Sequence, residues 1–295
     1  MSTGSRTKAS DGRDLAYEVS GDPHGWPVFL LHGTPGSRMG PRPRSSLLYR
    51  LGVRLICHDR PGYRDSTRHE GRRVADVAAA VRSVADDLGL ERFSVVGRSG
   101  GGPHALACAA LLPDRVVRAA VLVGPAPPDA LGLDWFAGMS DANNAEFRTV
   151  SQDADRLMET LRLRAERAMR DPQSLLEFLR VQMSRPDLDL ANAVTMRRLF
   201  AQTYMEALKG GPYGWLDDAV ALRVHWGFEL RDVTVPVRLW HGTEDTFTPV
   251  SHARWLAGRL PNAEVQMQEG AAHFGAVQIL PEVLGWLATP ADVGT

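Results

Sequence analysis

Ser99 lies in a segment that is typical of a catalytic nucleophile. The motif Gly97-Arg98-Ser99-Gly100-Gly101 follows the apolar run 93–96 and precedes a helical pattern of small residues. A serine at a tight strand-to-helix turn is held in a strained backbone conformation, so its neighbours must be small. The N-terminus of the following helix favours negative charge that develops nearby. A glycine-rich phosphate loop is the alternative, but the Gly-Lys-Ser/Thr ending of that motif is missing.

Asp245 and His273 are the candidates for the acid and base that such a serine needs. A serine hydroxyl is a weak nucleophile near neutral pH and requires a base that an acid orients. Asp245 follows the strand-like run 235–240, and His273 lies in a small-residue loop after the last strand-like run. Because Ser99, Asp245 and His273 come in the order nucleophile, acid, base, we expect them to act together. Glu244 is the adjacent rival for the acid.

Thr34 and Gly100 are the candidate donors to an oxyanion. A tetrahedral intermediate needs two preorganised backbone N–H groups. The turn His32-Gly33-Thr34-Pro35-Gly36 follows an early strand-like run, and Pro35 has no amide to donate, so the Thr34 amide is the candidate. The Gly100 amide directly follows the nucleophile. The alternative interpretation of residues 33–36 is an ordinary turn.

The remaining histidines and the two cysteines are assigned structural or solvated positions. The histidines fall at strand ends (His32, His58, His241), on the helix after Ser99 (His104), in the helical region (His225) and at the expected surface (His24, His69, His252). Cys57 and Cys108 have apolar neighbours and are interpreted as small buried hydrophobes. The sequence therefore predicts no metal and no cofactor.

Alternating strand and helix patterns must position these residues. After a predicted β-hairpin at 6–20, strand-like runs occupy 27–31, 53–57, 93–96, 116–123, 235–240 and 263–267, the last resembling an edge strand. Helical spacing occupies 74–88, 103–112, 250–260 and 276–287. Mostly apolar strands that alternate with helices predict an α/β fold with a doubly covered, mostly parallel sheet.

Residues 125–232 interrupt this alternation with helical patterns only, for example at 153–169, 173–183 and 192–208. We predict a helical cap at 125–232, inserted in a core formed by 1–124 and 233–295. Seven cap side chains are candidates for an apolar pocket, with cap core as the alternative: Trp135, Phe136, Met139, Phe147, Tyr204, Met205 and Trp215. The cap arginines are expected on a solvated helix face: Arg156, Arg162, Arg164, Arg167 and Arg170.

Composition excludes several classes of protein. The 295 residues are 44% hydrophobic and 23% charged, with a net charge of −1, which disfavours disorder and binding to nucleic acid or an anionic membrane. The polar N-terminus does not resemble a signal peptide, and no apolar run is long enough for a membrane span. We expect a cytoplasmic protein whose partner is a small-molecule substrate. The sequence leaves open whether it forms a homodimer.

These motifs together resemble the α/β-hydrolase superfamily, in its serine-nucleophile, capped, esterase- or lactonase-like form. The resemblance runs from His32 to His273 and includes Asp59-Arg60-Pro61-Gly62-Tyr63, which is similar to a structural turn of the family. It implies a catalytic triad of Ser99, Asp245 and His273, with an oxyanion hole formed by Thr34 and Gly100. Ser99 argues against the relatives that use an aspartate nucleophile. Gly100 stands where many relatives carry a larger residue, and we expect the glycine run to open room beside Ser99.

Three functions fit these residues. The first is a serine hydrolase that cleaves an ester, thioester or lactone of a small, largely apolar substrate through an acyl-enzyme. The second is a cofactor-free, non-hydrolytic enzyme on the same fold, such as a C–C lyase, a cyclase or a perhydrolase-like protein. The third is a receptor-like binder that keeps the triad.

Overall fold

A computed structural model describes residues 4–289, which contain one eight-stranded sheet in the order β1-β2-β4-β3-β5-β6-β7-β8. Strands β1 and β2 form the predicted antiparallel hairpin, β2 pairs with β4 antiparallel, and all other pairs are parallel. The strand bounds are β1 Ser5–Lys8, β2 Asp14–Gly21, β3 Trp26–Leu31, β4 Val53–His58, β5 Phe93–Arg98, β6 Val116–Leu122, β7 Val237–Gly242 and β8 Ala263–Gln268.

Helices cover both faces of this sheet. Alternate residues of β3 show why: Phe29 and Leu31 pack in one apolar cluster, whereas Val28 and Leu30 pack in another on the opposite face. Strand β8 is at the edge and is largely exposed, as its alternating sequence predicted. The helices outside the predicted cap are α1 Ser45–Arg50, α2 Val77–Asp87 (after a short 3-10 turn Val74–Asp76), α3 Gly101–Leu111, α10 Val250–Ala257 and α11 Gly275–Ala288. The predicted doubly covered α/β fold is confirmed.

Six helices and one 3-10 turn occupy the long connection between β6 and β7. Three of these helices match the predicted segments, whereas α4, α7 and α9 were not among them. They pack around a third apolar cluster that also takes in Phe247 and Phe274 from two loops at the sheet edge. The bounds are α4 Asp141–Gln152, α5 Ala154–Arg170, α6 Ser174–Arg180, α7 Arg185–Asn192, α8 Val194–Leu208, α9 Tyr213–Arg223 and the 3-10 turn Leu230–Asp232.

Helix α9 packs differently from its neighbours in this connection. Its residues Ala221 and Leu222 belong to the apolar cluster of α2 and α3 on the sheet, whereas Trp215 and Leu216 at its start belong to the third cluster. The division of the chain at 125 and 232 stays a prediction. Within residues 4–289 no helix combines the length and the apolar character that crossing a membrane requires.

Candidate active site

Ser99 occupies a strained turn between β5 and α3. Its φ of 53° is in the left-handed region, which costs a residue with a side chain on the order of 1–3 kcal/mol. Two hydrogen bonds hold the turn: the Ser99 N–H donates to the Leu122 carbonyl (2.8 Å), and the Gly102 N–H donates to the Ser99 carbonyl (2.8 Å). The turn also needs glycine at 97, because a Cβ there would overlap the Gly101 carbonyl. Such strain, kept by specific contacts, is typical of a functional position.

Asp245 and His273 meet directly in the structure. The Nδ1 of His273 lies 2.8 Å from Oδ2 of Asp245, so the imidazole donates from Nδ1 to the carboxylate and its Nε2 remains available as an acceptor. The other Asp245 oxygen accepts from the backbone N–H groups of Phe247 (2.8 Å) and Thr248 (2.9 Å). Burial by itself raises the pKa of Asp245, but His273 and His241 outweigh it and hold the pKa below its usual value. The rival Glu244 is exposed, and within residues 4–289 its side chain makes no hydrogen bond or ion pair with His273.

A second buried carboxylate, which sequence reasoning missed, supports the His273 loop. Asp187 on α7 is fully buried and accepts from the backbone N–H groups of His273 (3.1 Å) and Phe274 (2.7 Å). Burial raises its pKa to about 6, although the nearby His273 and these two hydrogen bonds oppose the shift. Asp187 therefore ties the helical connection to the loop that carries the candidate base.

The amides of Thr34 and Gly100 are available to a ligand. Both residues line the cavity that Ser99 faces, and within residues 4–289 neither N–H donates to a protein acceptor. Gly100 is buried and Thr34 is half-buried, and backbone donors in such positions are usually paired, so two free ones beside a strained serine are consistent with an oxyanion site.

The expectation that the glycine run opens room beside Ser99 is wrong. Gly100 has an ordinary right-handed helical conformation, with φ at −54°, so its backbone does not require glycine. The space is instead filled by Thr34: a Cβ at 100 would overlap its Oγ1 and lie 3.0 Å from its Cβ. Glycine at 100 therefore permits close approach of the Thr34 loop rather than leaving a void.

A buried ionic network holds the Thr34 loop. Arg60, which follows β4, donates to the carbonyl oxygens of His32 and Gly33 and to Oγ1 of Thr34 (3.2 Å). The Thr34 hydroxyl itself donates to Oδ2 of Asp218 on α9 (2.6 Å). The Arg60 turn is thus structural, in agreement with its assignment from the sequence.

Asp218 is the centre of this network. Besides Thr34 and Arg60, it accepts from Tyr63 (2.8 Å) and Arg72 (2.5 Å), and its side chain is fully buried. Burial alone raises its pKa, but the charges of Arg60 and Arg72 outweigh burial and hold the pKa well below the usual value. Asp218 is therefore an anion that two buried guanidinium groups share.

The cavity lies between the sheet edge and the helical connection. It encloses about 1050 Å³ of space free of protein atoms, including solvent at its mouth. Ser99 and His273 both line it, although no hydrogen bond joins their side chains within the described residues, and such contacts often tighten only with substrate bound. Of the seven predicted pocket residues, Phe136 and Met205 do not reach the cavity, whereas five do: Trp135, Met139, Phe147, Tyr204 and Trp215.

Two charged side chains line this otherwise largely apolar cavity. Glu146 on α4 accepts from Trp215 Nε1 (2.7 Å) and from Arg164 (3.0 Å). Arg164 is therefore partly buried against Glu146 and not on the solvated face predicted for it, whereas the other four arginines of that set are exposed. The second charged side chain is Arg98, which directly precedes Ser99.

His252 also corrects an expectation. It is fully buried and not at the surface: its Nδ1 accepts from the Ala126 N–H (3.0 Å), and its Nε2 contacts the Trp135 carbonyl (3.0 Å). It thereby fixes the chain where that chain leaves β6. Cys57 and Cys108 are free and buried, as predicted.

The sequence matches a known protein family along most of its length. A family model described as alpha/beta hydrolase fold matches residues 27–278. The chain belongs to this family. A non-heme chloroperoxidase of Streptomyces lividans is 28% identical over 290 residues, covering 93% of this chain and 94% of the relative. A proline iminopeptidase of Xanthomonas citri is 25% identical over 295 residues, covering 90% of this chain and 89% of the relative.

Solved structures of this fold superpose along nearly the whole α/β-hydrolase chain. A bromoperoxidase from Bacillus anthracis gives a TM-score of 0.71 at 21% identity, covering 97% of this chain and 99% of that one. Identity this low supports the fold alone. The activity of this family member must therefore be argued from its own residues.

Proposed function

We propose that the protein is a serine hydrolase that cleaves an ester, thioester or lactone of a small, largely apolar substrate through an acyl-enzyme on Ser99. The observation that carries the proposal is the 2.8 Å contact between Asp245 and His273 at a cavity that Ser99 also lines from its left-handed turn. A hydrolytic relative, the proline iminopeptidase, supports the reaction class.

In the proposed reaction the Ser99 oxygen attacks the substrate carbonyl while Nε2 of His273 takes the hydroxyl proton. Asp245 keeps the proton on Nδ1, and its negative charge stabilises the imidazolium that forms. The amides of Thr34 and Gly100 donate to the oxyanion. The leaving group receives the proton from His273, and a water molecule, deprotonated by the same imidazole, releases the acid and restores the serine.

A neutral fluorophosphonate probe and a set of p-nitrophenyl esters test the proposal. We expect covalent labelling of Ser99 and release of p-nitrophenol, with kcat lowered by about 10⁴- to 10⁶-fold in Ser99→Ala. Ser83→Ala is the matched control, because Ser83 is on exposed helix surface and bonds only to the Ala79 carbonyl. Absence of label at Ser99, or ester cleavage that survives Ser99→Ala, refutes the proposal.

A perhydrolase activity is the second candidate, favoured by the chloroperoxidase relative. Hydrogen peroxide would replace water at the acyl-enzyme, giving a peracid and the free serine. Peracid formation from an ester and peroxide that is lost in Ser99→Ala supports it. If the ester is hydrolysed and added peroxide yields no peracid, the result favours the serine hydrolase alone. A cytoplasmic location stays a prediction.

A further inference from the structure

Arg98 lies in the cavity beside the nucleophile. It is the variable residue of the Gly-x-Ser turn, and its side chain lines the same cavity as Ser99 and His273. A Cβ added at Gly33, in the loop that presents the Thr34 amide, would lie 3.9 Å from Nη2 of Arg98 and 3.5 Å from Cβ of Ser99. The guanidinium and the nucleophile therefore pack against the same glycine, which puts a positive charge within reach of any substrate bound at Ser99.

This guanidinium has no anionic partner in the part of the chain that the structure describes. No carboxylate oxygen of residues 4–289 lies within 4.0 Å of it and no hydrogen bond satisfies it, whereas Arg38, Arg60 and Arg72 each pair with a buried aspartate. Burial lowers the pKa of Arg98, and Tyr204 only partly opposes that shift. An arginine stays protonated all the same. Arg98 is half-buried in a largely apolar cavity wall, where a charge without a partner is costly, and an anionic ligand would supply the missing partner.

Tyr204 on α8 supplies a second donor at this end of the cavity. It is 8% exposed and lines the cavity, and its hydroxyl has no hydrogen-bond partner among the described residues. Burial raises its pKa to about 12, and Arg98 is close enough for its charge to oppose that shift. A neutral phenol and a guanidinium that are both unsatisfied form a pair of donors suited to an oxygen anion.

The single guanidinium without a partner in the cavity favours a monoanion. Glu146 pairs with Arg164, and Asp245 is stabilised by His273 and two backbone amides, so Arg98 is the charged side chain lining this cavity that has neither an ion-pair nor a hydrogen-bond partner among the described residues. A carboxylate neutralises one guanidinium and matches its planar fork. A phosphate dianion would leave a second negative charge in a region that already holds Asp187 and Asp245.

We propose that Arg98, with Tyr204, binds a carboxylate carried by the substrate, so that the preferred substrates are half-esters or carboxylate-bearing lactones. This inference rests on the proposed function, since it assigns the substrate class of the same site. Arg98 would then select substrates that carry a carboxylate, whereas the largely apolar lining of the cavity by itself suggests a neutral substrate.

Two p-nitrophenyl esters that differ in one charge test the inference: the half-ester of glutaric acid, and the same chain with its far carboxylate masked as a methyl ester. Release of p-nitrophenol reports both reactions. We expect the wild type to prefer the half-ester in kcat/KM by about 10- to 100-fold, the range of a charge-assisted hydrogen bond. Arg98→Gln should remove that preference, and Arg98→Lys should keep part of it. No preference in the wild type overturns the inference and leaves the proposed hydrolase intact.

Arg92→Gln is the matched control, because it removes the same charge from an exposed position just before β5. It should keep the wild-type preference; if it loses the preference as Arg98→Gln does, the effect is one of net charge and the inference fails. Labelling of Ser99 by the neutral fluorophosphonate verifies that each Arg98 variant is folded. If Arg98→Gln does not fold, Arg98→Lys provides the test: a reduced or lost preference for the half-ester supports the inference, and an undiminished preference overturns it.

Binding to Ser99→Ala separates this inference from the proposed function. Calorimetry should show tighter binding of the glutarate half-ester than of its methyl ester, and this difference should vanish in Ser99→Ala/Arg98→Gln. This binding difference supports the carboxylate site even if the wild type cleaves no ester. Absence of ester cleavage would refute only the proposed hydrolase activity. Equal binding of the two esters, or competition by inorganic phosphate stronger than by glutarate, overturns the carboxylate assignment.

Discussion

Asp218→Asn is the substitution that the structure predicts to be most damaging outside the reacting groups. The neutral amide has nearly the same shape but no charge, so Arg60 and Arg72 lose the carboxylate that they share. Both guanidinium groups are at most 3% exposed, so water cannot replace the lost partner. Removing one member of a buried ion pair typically costs about 3–5 kcal/mol.

The expected loss is large compared with the usual stability of a folded domain, about 5–15 kcal/mol. For a chain of this size it corresponds to a fall in Tm of roughly 6–20 °C. Because the folded pKa of Asp218 is depressed, its contribution is complete above the unfolded pKa of about 3.9 and is lost only as pH falls through the folded pKa. The gap between wild type and variant should therefore be full at pH 7 and narrow only in acid.

Urea unfolding at pH 7 measures this loss, with Asp217→Asn as the control one residue away. Asp217 is itself buried but pairs with Arg68 alone, whose side chain is 29% exposed and can be hydrated, so Asp217→Asn should cost less, about 1–2 kcal/mol. Ester hydrolysis by the folded Asp218→Asn protein should also fall, because the amide offers one acceptor oxygen where Asp218 offers two, and the loop that carries the Thr34 amide is held less firmly. Equal unfolding midpoints for the two variants would show that the network does not carry the stability assigned to it.

Three further predictions follow from the site. Asp245→Asn should lower kcat of ester hydrolysis by about 10⁴-fold, whereas Glu244→Gln should leave it near the wild-type value; comparable losses in steady-state kinetics would mean that the wrong carboxylate was chosen. Gly100→Ala should cost about 1–3 kcal/mol in urea unfolding through overlap with Thr34, and Thr34→Ala in that background should recover part of the loss; strictly additive effects would contradict the contact. Burial raises the pKa of Asp187 to about 6 in the folded state, so folding disfavours its ionisation. As pH rises from 4 to 7, the free energy of unfolding of the wild type should therefore fall by roughly 2–3 kcal/mol relative to that of Asp187→Asn. Parallel pH profiles of the two proteins in urea titrations would contradict this prediction.

The strands and the Ser99 turn could be predicted from the sequence because their causes are local. An apolar run, a glycine at a close backbone approach and a small-residue helix are all visible within about fifteen neighbouring positions. The same holds for the loop positions of Asp245 and His273, which follow from the ends of parallel strands. The 2.8 Å contact between these two residues required the structure.

The supporting carboxylates could not be predicted, since their partners are far away in the chain. Asp187 bonds to amides 86 and 87 residues later, and Asp218 pairs with Arg60 across 158 residues. On a helix each of them has the pattern of an ordinary solvated acid. The role of Gly100 was wrongly predicted for the same reason, because glycine is needed there only since the side chain of Thr34, 66 residues earlier, packs against it.

The position of Asp218 limits how this enzyme can be recombined with its relatives. A chimaera that replaces the whole stretch between β6 and β7 would import a foreign helix in place of α9 and remove the acceptor of Thr34, Arg60 and Arg72. An exchange that ends before Tyr213 keeps the native α9 with its aspartate. The five helices before it can then be varied for substrate range while the loop beside Ser99 keeps its own anchor.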